Sequence, residues 1–164
     1  MAFKNEEELQ AFTAWAQEEM QRAAQYARDS DLIHEEIVGR AVWTLPHRVF
    51  IGHVRPKSDK IRSYWVISGS DLPTDHIDKK LAASARDAAR HFSYRWQLKC
   101  THLEELGKTN QGHPEGEADW GLAAAKLRAQ AEALYSLADN AVLWEPTRGD
   151  LVSGDDDAGS TATT

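Results

Sequence analysis

The stretch 64–77 constrains the fold of this chain more than any other part of the sequence. It begins with four apolar residues, Tyr64-Trp65-Val66-Ile67, whose side chains alternate between the two sides of a strand. Because both sides are apolar, we expect this strand to be covered on both faces. A glycine turn ends it, and Pro73 disfavours helix at the residue before it. Since Thr74 or Asp75 can then cap a helix, the stretch predicts a buried strand that passes into a long helix.

The remaining periodicity predicts an α+β fold. Apolar alternation over 38–44, 48–55 and 61–68, with short connections, indicates a three-stranded antiparallel meander at about 38–68. Apolar residues recur at three- and four-residue spacing over 5–29, 75–106 and 118–140. These three ranges predict an N-terminal helix and a C-terminal antiparallel helix pair. Asn5, with Glu8 three residues on, is typical of a helix start.

Composition predicts one domain, 1–146, followed by a disordered acidic tail, 147–164, made largely of Gly, Asp, Ser and Thr. Cys100 is the only cysteine, so an internal disulfide is excluded and a reducing compartment is favoured. No apolar leader follows Met1, and no stretch approaches the ~18 apolar residues of a membrane span. We therefore expect a cytoplasmic protein without membrane association.

The net charge of −7 disfavours general affinity for nucleic-acid phosphates and is weak evidence for a basic protein partner. The predicted second helix does carry basic residues beside His91 and Tyr94, which together suit a nucleic-acid surface. Asp87 lies among these residues and two glutamates close the helix. We therefore interpret this face as solvated and expect no nucleic-acid binding. The basic residues are Lys79, Lys80, Arg86, Arg90, Arg95 and Lys99.

The chain shows no pattern typical of a cofactor or a metal ion. Gly107-Lys108-Thr109 resembles the end of a phosphate-binding loop, but a helical segment precedes it instead of a strand and glycine turn. His91 and His102 share a helix face, yet a rise of 1.5 Å per residue separates them by about 16 Å, too far for one ion. We expect no cofactor and no metal site.

The candidate functional residues lie at the predicted strand-to-helix corner. Carboxylates beside His76 are components of acid–base chemistry, but capping alone also explains Asp75 and Asp78. Asp71, which precedes Leu-Pro, is not explained by capping. The predicted binding residues are Asp71, His76, Tyr64 and Asp75, and the sequence assigns no catalytic residue.

Two runs of residues resemble a family of small bacterial proteins. The first is Trp65-Val66-Ile67-Ser68-Gly69 with Asp71-Leu72-Pro73-Thr74-Asp75, and the second is Ala88-Ala89-Arg90-His91-Phe92 with Trp96-Gln97. That family is catalogued only as a domain of unknown function. The resemblance covers about two thirds of the chain and implies a bacterial cytoplasmic protein. It supplies no catalytic residues.

Two functions remain open at this point. The first is a non-enzymatic binding or regulatory protein, an adaptor or an inhibitor of a basic partner, present as a monomer or homodimer. The alternative is a small hydrolase or transferase that uses Asp71 and His76, with Arg62 or His53 from neighbouring strands. A cleft that gathers these side chains favours the enzyme, and a flat or convex acidic face favours the binding protein.

Overall fold

A four-stranded antiparallel sheet forms the middle layer of the protein, in the computed structural model that describes residues 3–109 and 120–145. The strands are β1 (Ile37–Leu45), β2 (Val49–Pro56), β3 (Tyr64–Gly69) and β4 (Asp75–Asp78), adjacent in chain order. The helices are α1 (Glu6–Asp29), α2 (Ala85–Thr109) and α3 (Trp120–Asp139). Two 3-10 turns, Lys79–Leu81 and Ala141–Trp144, complete the described elements. The α+β class is confirmed, while the predicted tail, 147–164, lies outside the described residues.

The sheet has a fourth strand where the sequence predicted the start of a helix. Residues of β4 pair with β3, with Ile67 opposite Asp75 and Tyr64 opposite Asp78. The prediction of three strands, and of a helix from 75 to 106, was therefore wrong at this end. Capping residues and a proline mark a change of direction, but they do not distinguish a helix start from a hairpin turn. Residues 75–78 instead pair with the outer edge of β3 as a strand, and α2 begins only at Ala85.

One face of the sheet is covered by α1. The side chain of Asn5 caps this helix by accepting a hydrogen bond from the Glu8 backbone N–H at 2.9 Å, as predicted. Ala23 and Ala27 are fully buried against Val54 and Val66 of the sheet. Their small side chains let the helix approach the strands closely. The predicted helix 5–29 is thus confirmed within one residue at its start.

The other face is covered by α2 and α3. Ser93 donates its hydroxyl hydrogen bond to the backbone oxygen of Ala131 at 2.8 Å, and the Cys100 thiol contacts the Ala124 oxygen at 3.5 Å. Residues later in α2 contact residues earlier in α3, so the two helices are antiparallel, as predicted. Trp96 is 2% exposed within this layer. None of the helices in the described ranges combines the length and apolar content needed to cross a membrane.

The segment after α3 docks on the sheet through two indoles. The rings of Trp43 in β1 and Trp144 stack with centroids 3.9 Å apart. Trp43 Nε1 donates to the Leu143 oxygen at 3.1 Å, and Trp144 Nε1 donates to the Leu137 oxygen at 2.8 Å. Residues 141–144 therefore form a 3-10 turn that ties α3 to β1.

The hydroxyl of Ser84 accepts a hydrogen bond from the Asp87 backbone N–H at 3.1 Å and so caps α2. We expect Ser84→Ala to lower the free energy of unfolding by about 1 kcal/mol, because one helix N–H then loses its partner. Urea denaturation measures the change. Ser58→Ala, in an exposed turn, is the control and should change stability by less than about 0.5 kcal/mol. Equal losses in the two variants would show that the cap contributes nothing.

Candidate functional site

The carboxylate of Asp75 is the centre of a polar network at the β4 edge of the sheet. Its Oδ2 accepts a hydrogen bond from Trp96 Nε1 at 2.9 Å and lies 3.7 Å from Arg95 Nε. Its Oδ1 accepts from the His76 backbone N–H at 2.8 Å and from the Tyr26 hydroxyl at 3.4 Å. The side chain is only 16% exposed. One carboxylate thus joins α1, β4 and α2, so the expectation that Asp75 caps a helix was wrong.

The imidazole of His76 lies on the opposite side of β4, toward α1. Its Nδ1 is 2.8 Å from the Tyr26 hydroxyl, a hydrogen bond whose direction depends on the tautomer. The ring is flanked by Tyr26, with centroids 5.6 Å apart, and by the edge-on ring of Tyr64 at 5.7 Å. His76 is therefore held in place by two tyrosine rings and by the hydroxyl of one of them, Tyr26.

Burial keeps both partners of this hydrogen bond neutral. Loss of water lowers the pKa of His76, and the positive charge of Arg95 lowers it further, while Asp75 acts in the opposite direction. Burial also raises the pKa of the Tyr26 hydroxyl, and the nearby Asp75 carboxylate adds to that effect. At neutral pH the imidazole of His76 and the phenol of Tyr26 are therefore both uncharged.

Asp71 lies apart from this network, in the turn that joins β3 to β4. Its backbone has a φ of 59°, in the left-handed region that aspartate tolerates better than most residues. Its backbone oxygen accepts a hydrogen bond from Gln130 Nε2 of α3 at 3.0 Å, and its side chain is exposed. Of the four predicted binding residues, the structure brings Tyr64, Asp75 and His76 together. No contact within the described residues joins the Asp71 side chain to them.

The two further residues of the enzyme alternative are engaged elsewhere. Arg62 pairs with Glu35 at 2.5 Å, in the segments that precede β3 and β1. His53 lies on the α2 face of the sheet, with its ring 4.0 Å from that of Trp65. Among the described residues, no three His, Cys, Asp or Glu side chains gather as metal ligands.

An open groove of about 480 Å³ lies between α1 and β1, and none of the predicted site residues lines it. Its lining residues are Gln17, Met20, Gln21, Ala24, Ile37 and Gly39.

Sequence reasoning also missed the helix residues of the Asp75 network, which are Tyr26, Arg95 and Trp96. A signal did exist for Trp96, because a buried indole N–H needs an acceptor. The sequence does not reveal that the acceptor is Asp75, since 21 positions separate the two residues.

Replacing Asp75 tests its structural role. Asp75→Ala leaves the Trp96 N–H without an acceptor and Arg95 without its nearby carboxylate, so we expect a loss of about 2–3 kcal/mol. Asp78→Ala is the matched control. Because the Asp78 side chain only caps the 3-10 turn by accepting from the Lys80 N–H, its loss should cost about 1 kcal/mol or less. Urea denaturation of both variants decides the point, and a larger loss for Asp78→Ala would contradict the assignment.

The pKa of His76 predicts a pH dependence of stability. Since folding lowers this pKa, the unfolded chain binds the proton first as the pH falls. The contribution of His76 is therefore complete above its unfolded pKa of about 6.5 and is lost as the pH falls toward the folded value. We expect wild type to lose more stability than His76→Gln between about pH 7.5 and 5. Denaturation series measure this difference, with exposed His34→Gln as control. Parallel curves for wild type and His76→Gln would contradict the prediction.

The comparisons with known proteins give one match. The family described as a domain of unknown function (DUF4826) matches residues 8–144, which include the described elements from β1 to the 3-10 turn after α3 and nearly all of α1. No curated protein and no solved structure matches the chain. The resemblance inferred from the sequence is thereby confirmed at the level of the family. The chain belongs to the family described as a domain of unknown function (DUF4826).

Proposed function

We propose that this protein is a non-enzymatic binding or regulatory protein, an adaptor or an inhibitor, whose partner presents a basic surface. The observation that carries the proposal is the internal use of the Asp75 and His76 side chains. A general base needs a lone pair directed at a substrate, and a nucleophile needs a base beside it. Here both carboxylate oxygens of Asp75 contact Tyr26, Trp96, Arg95 or the backbone, and Nδ1 of His76 is hydrogen-bonded to the Tyr26 hydroxyl.

The place of the open groove also supports binding over catalysis. The groove lies between α1 and β1, whereas the Asp75 network lies at the other edge of the sheet. Active sites usually combine a concave pocket with titratable groups of shifted pKa. In the described part of the chain these two features occur at opposite edges. The enzyme alternative would need a substrate that contacts both the exposed turn at Asp71 and the half-buried ring of His76.

The excess of acidic over basic residues is unevenly distributed along the chain. Residues 3–109 and 120–145 contain 18 Lys and Arg against 19 Asp and Glu, a net charge of −1 compared with −7 for the whole chain. The other positions therefore hold most of the acidic excess. Within the described residues, α1 is acidic, with exposed Glu7 and Glu18 three turns apart on one helix face. A basic partner would be attracted to this face and to the acidic segments.

Asp71 is a second proposed contact. The left-handed turn and the Gln130 hydrogen bond hold its backbone in place, while the carboxylate remains exposed. A residue of this kind at the tip of a rigid hairpin suits recognition by a partner. Tyr64, Asp75 and His76 belong to the two strands of the same hairpin.

Affinity capture from a lysate of the source cell, followed by titration calorimetry with the retained protein, tests the function. We expect a basic protein that is released between about 0.1 and 0.5 M salt, because salt screens exposed charges. Glu7→Gln with Glu18→Gln, and separately Asp71→Asn, should each weaken its binding by about tenfold or more. None of these changes should alter the free energy of unfolding by more than about 1 kcal/mol.

The matched control is Glu132→Gln with Asp139→Asn, which removes the same charge from exposed positions of α3. This variant should bind as wild type does. Equal weakening in both double variants would show a general charge effect without a specific surface. Turnover of a chromogenic ester or phosphoester that is lost in both Asp71→Asn and His76→Gln would establish the enzyme instead.

A further inference from the structure

The N-terminal half of α1 presents an apolar face to solvent, and we infer that a basic amphipathic helix of a partner protein packs on it. This surface, the N-terminal face, consists of Leu9 and a row of rings, Phe3, Phe12, Trp15 and His47. The inference rests on the proposed function, a partner with a basic surface. It adds the form of that partner and the apolar contacts that anchor it.

The sheet ends beneath the middle of α1. The hydroxyl of Ser68, the last residue but one of β3, donates a hydrogen bond to the Glu19 carboxylate at 2.6 Å. About one turn earlier in the helix, the ring centroid of Trp15 lies 5.6 Å from that of His47, in the turn between β1 and β2. The apolar cluster between α1 and the sheet accordingly includes no helix residue before Met20. The first part of the helix therefore lies beyond the end of the sheet.

The rings of the N-terminal face form a continuous row along this part of the helix. The ring centroids of Phe3 and Phe12 are 5.1 Å apart, and those of Phe12 and Trp15 are 5.9 Å apart. All three side chains are partly exposed. Leu9, three positions before Phe12 on the helix surface, is 46% exposed. A single exposed apolar residue is ordinary, but a contiguous group of them marks a contact surface.

The spacing of the apolar residues suits a second helix. Leu9, Phe12 and Ala16 follow one another at three- and four-residue intervals, which is the stripe that a packed helix contacts. The backbone N–H and C=O groups of α1 are used within the helix, so this surface offers no edge to an extended strand. An amphipathic helix is therefore the form of partner that fits.

The charge around the N-terminal face favours a basic helix. Residues 5–21 contain five glutamates and neither lysine nor arginine. At about 3.6 residues per turn, Leu9 and Phe12 lie between Glu6 and Glu8 around the helix axis. Lysine or arginine beside the apolar stripe of a partner would therefore lie close to these carboxylates. A second copy of this acidic helix would be repelled instead.

A designed peptide tests the inference. The probe is a synthetic helix of about four turns, with leucine at three- and four-residue spacing and lysine at the other positions. A peptide of the same composition in scrambled order carries the same charge without the apolar stripe. In titration calorimetry the full chain should bind the patterned peptide at least about tenfold more tightly than the scrambled one. Leu9→Gln and Phe12→Gln should each weaken this binding about fivefold or more.

Leu98→Gln is the matched control, because Leu98 is 56% exposed on α2, away from the N-terminal face. This variant should bind the patterned peptide as wild type does. Since Leu9 is nearly half exposed, Leu9→Gln should melt within about 4 °C of wild type, which separates a loss of binding from a loss of folding.

Equal affinity for the two peptides overturns the inference, as does equal weakening by Leu9→Gln and Leu98→Gln. A wild-type dimer that Leu9→Gln dissociates also overturns it, because a second copy would then occupy the face. If Glu7→Gln with Glu18→Gln weakens the binding of a basic partner and Leu9→Gln does not, this inference fails while the proposed function stands.

Discussion

The layered arrangement of this protein depends on the carboxylate of Asp75. Three layers must be held in register, and this side chain contacts all of them, through Tyr26 of α1, its own position in β4, and Trp96 of α2. Hydrophobic burial in the apolar clusters on the two faces of the sheet stabilises packing without specifying orientation, and on the α1 face a directional contact is the buried hydrogen bond that Ser68 donates to Glu19 at 2.6 Å. The charge-assisted hydrogen bonds of Asp75 supply that orientation at the edge of the sheet. A residue that the sequence presents as a helix cap is therefore the link between both helical layers.

The sequence predicted the parts of the fold that depend on periodicity. The cap of α1, the apolar positions of α2 and α3 and the three longer strands follow from spacing that is local in the chain. β4 was missed because its four residues are too few to show a period, and Thr74, Asp75 and Pro73 suit a helix start and a hairpin equally well. The true cap, Ser84, lies ten positions after Thr74. A short edge strand forms only if it pairs with a neighbouring strand, and the local sequence pattern does not reveal that pairing.

The candidate site was predicted in part for the same reason. Tyr64, Asp75 and His76 lie on either side of one chain reversal, which the sequence predicted as a strand-to-helix corner and which is a hairpin with Tyr64 opposite Asp78 and Val66 opposite His76. Tyr26 lies 50 positions from His76, and its role depends on the packing of α1. Asp71 was grouped with the others because it is close in sequence. Hairpin geometry places it in the turn, away from the paired residues, with Gln130 of α3 as its contact.

The buried position of Cys100 makes its thiol a probe of local opening between α2 and α3. The thiol is 2% exposed between α2 and α3, and burial raises its pKa, so little of the reactive thiolate forms while the helices are packed. Because it is the only thiol in the chain, alkylation of the protein measures a single event, the separation of these two helices. The rate of labelling in the native state thus gives the free energy of that local opening. Labelling at low denaturant would distinguish a chain that opens layer by layer from one that unfolds as a unit.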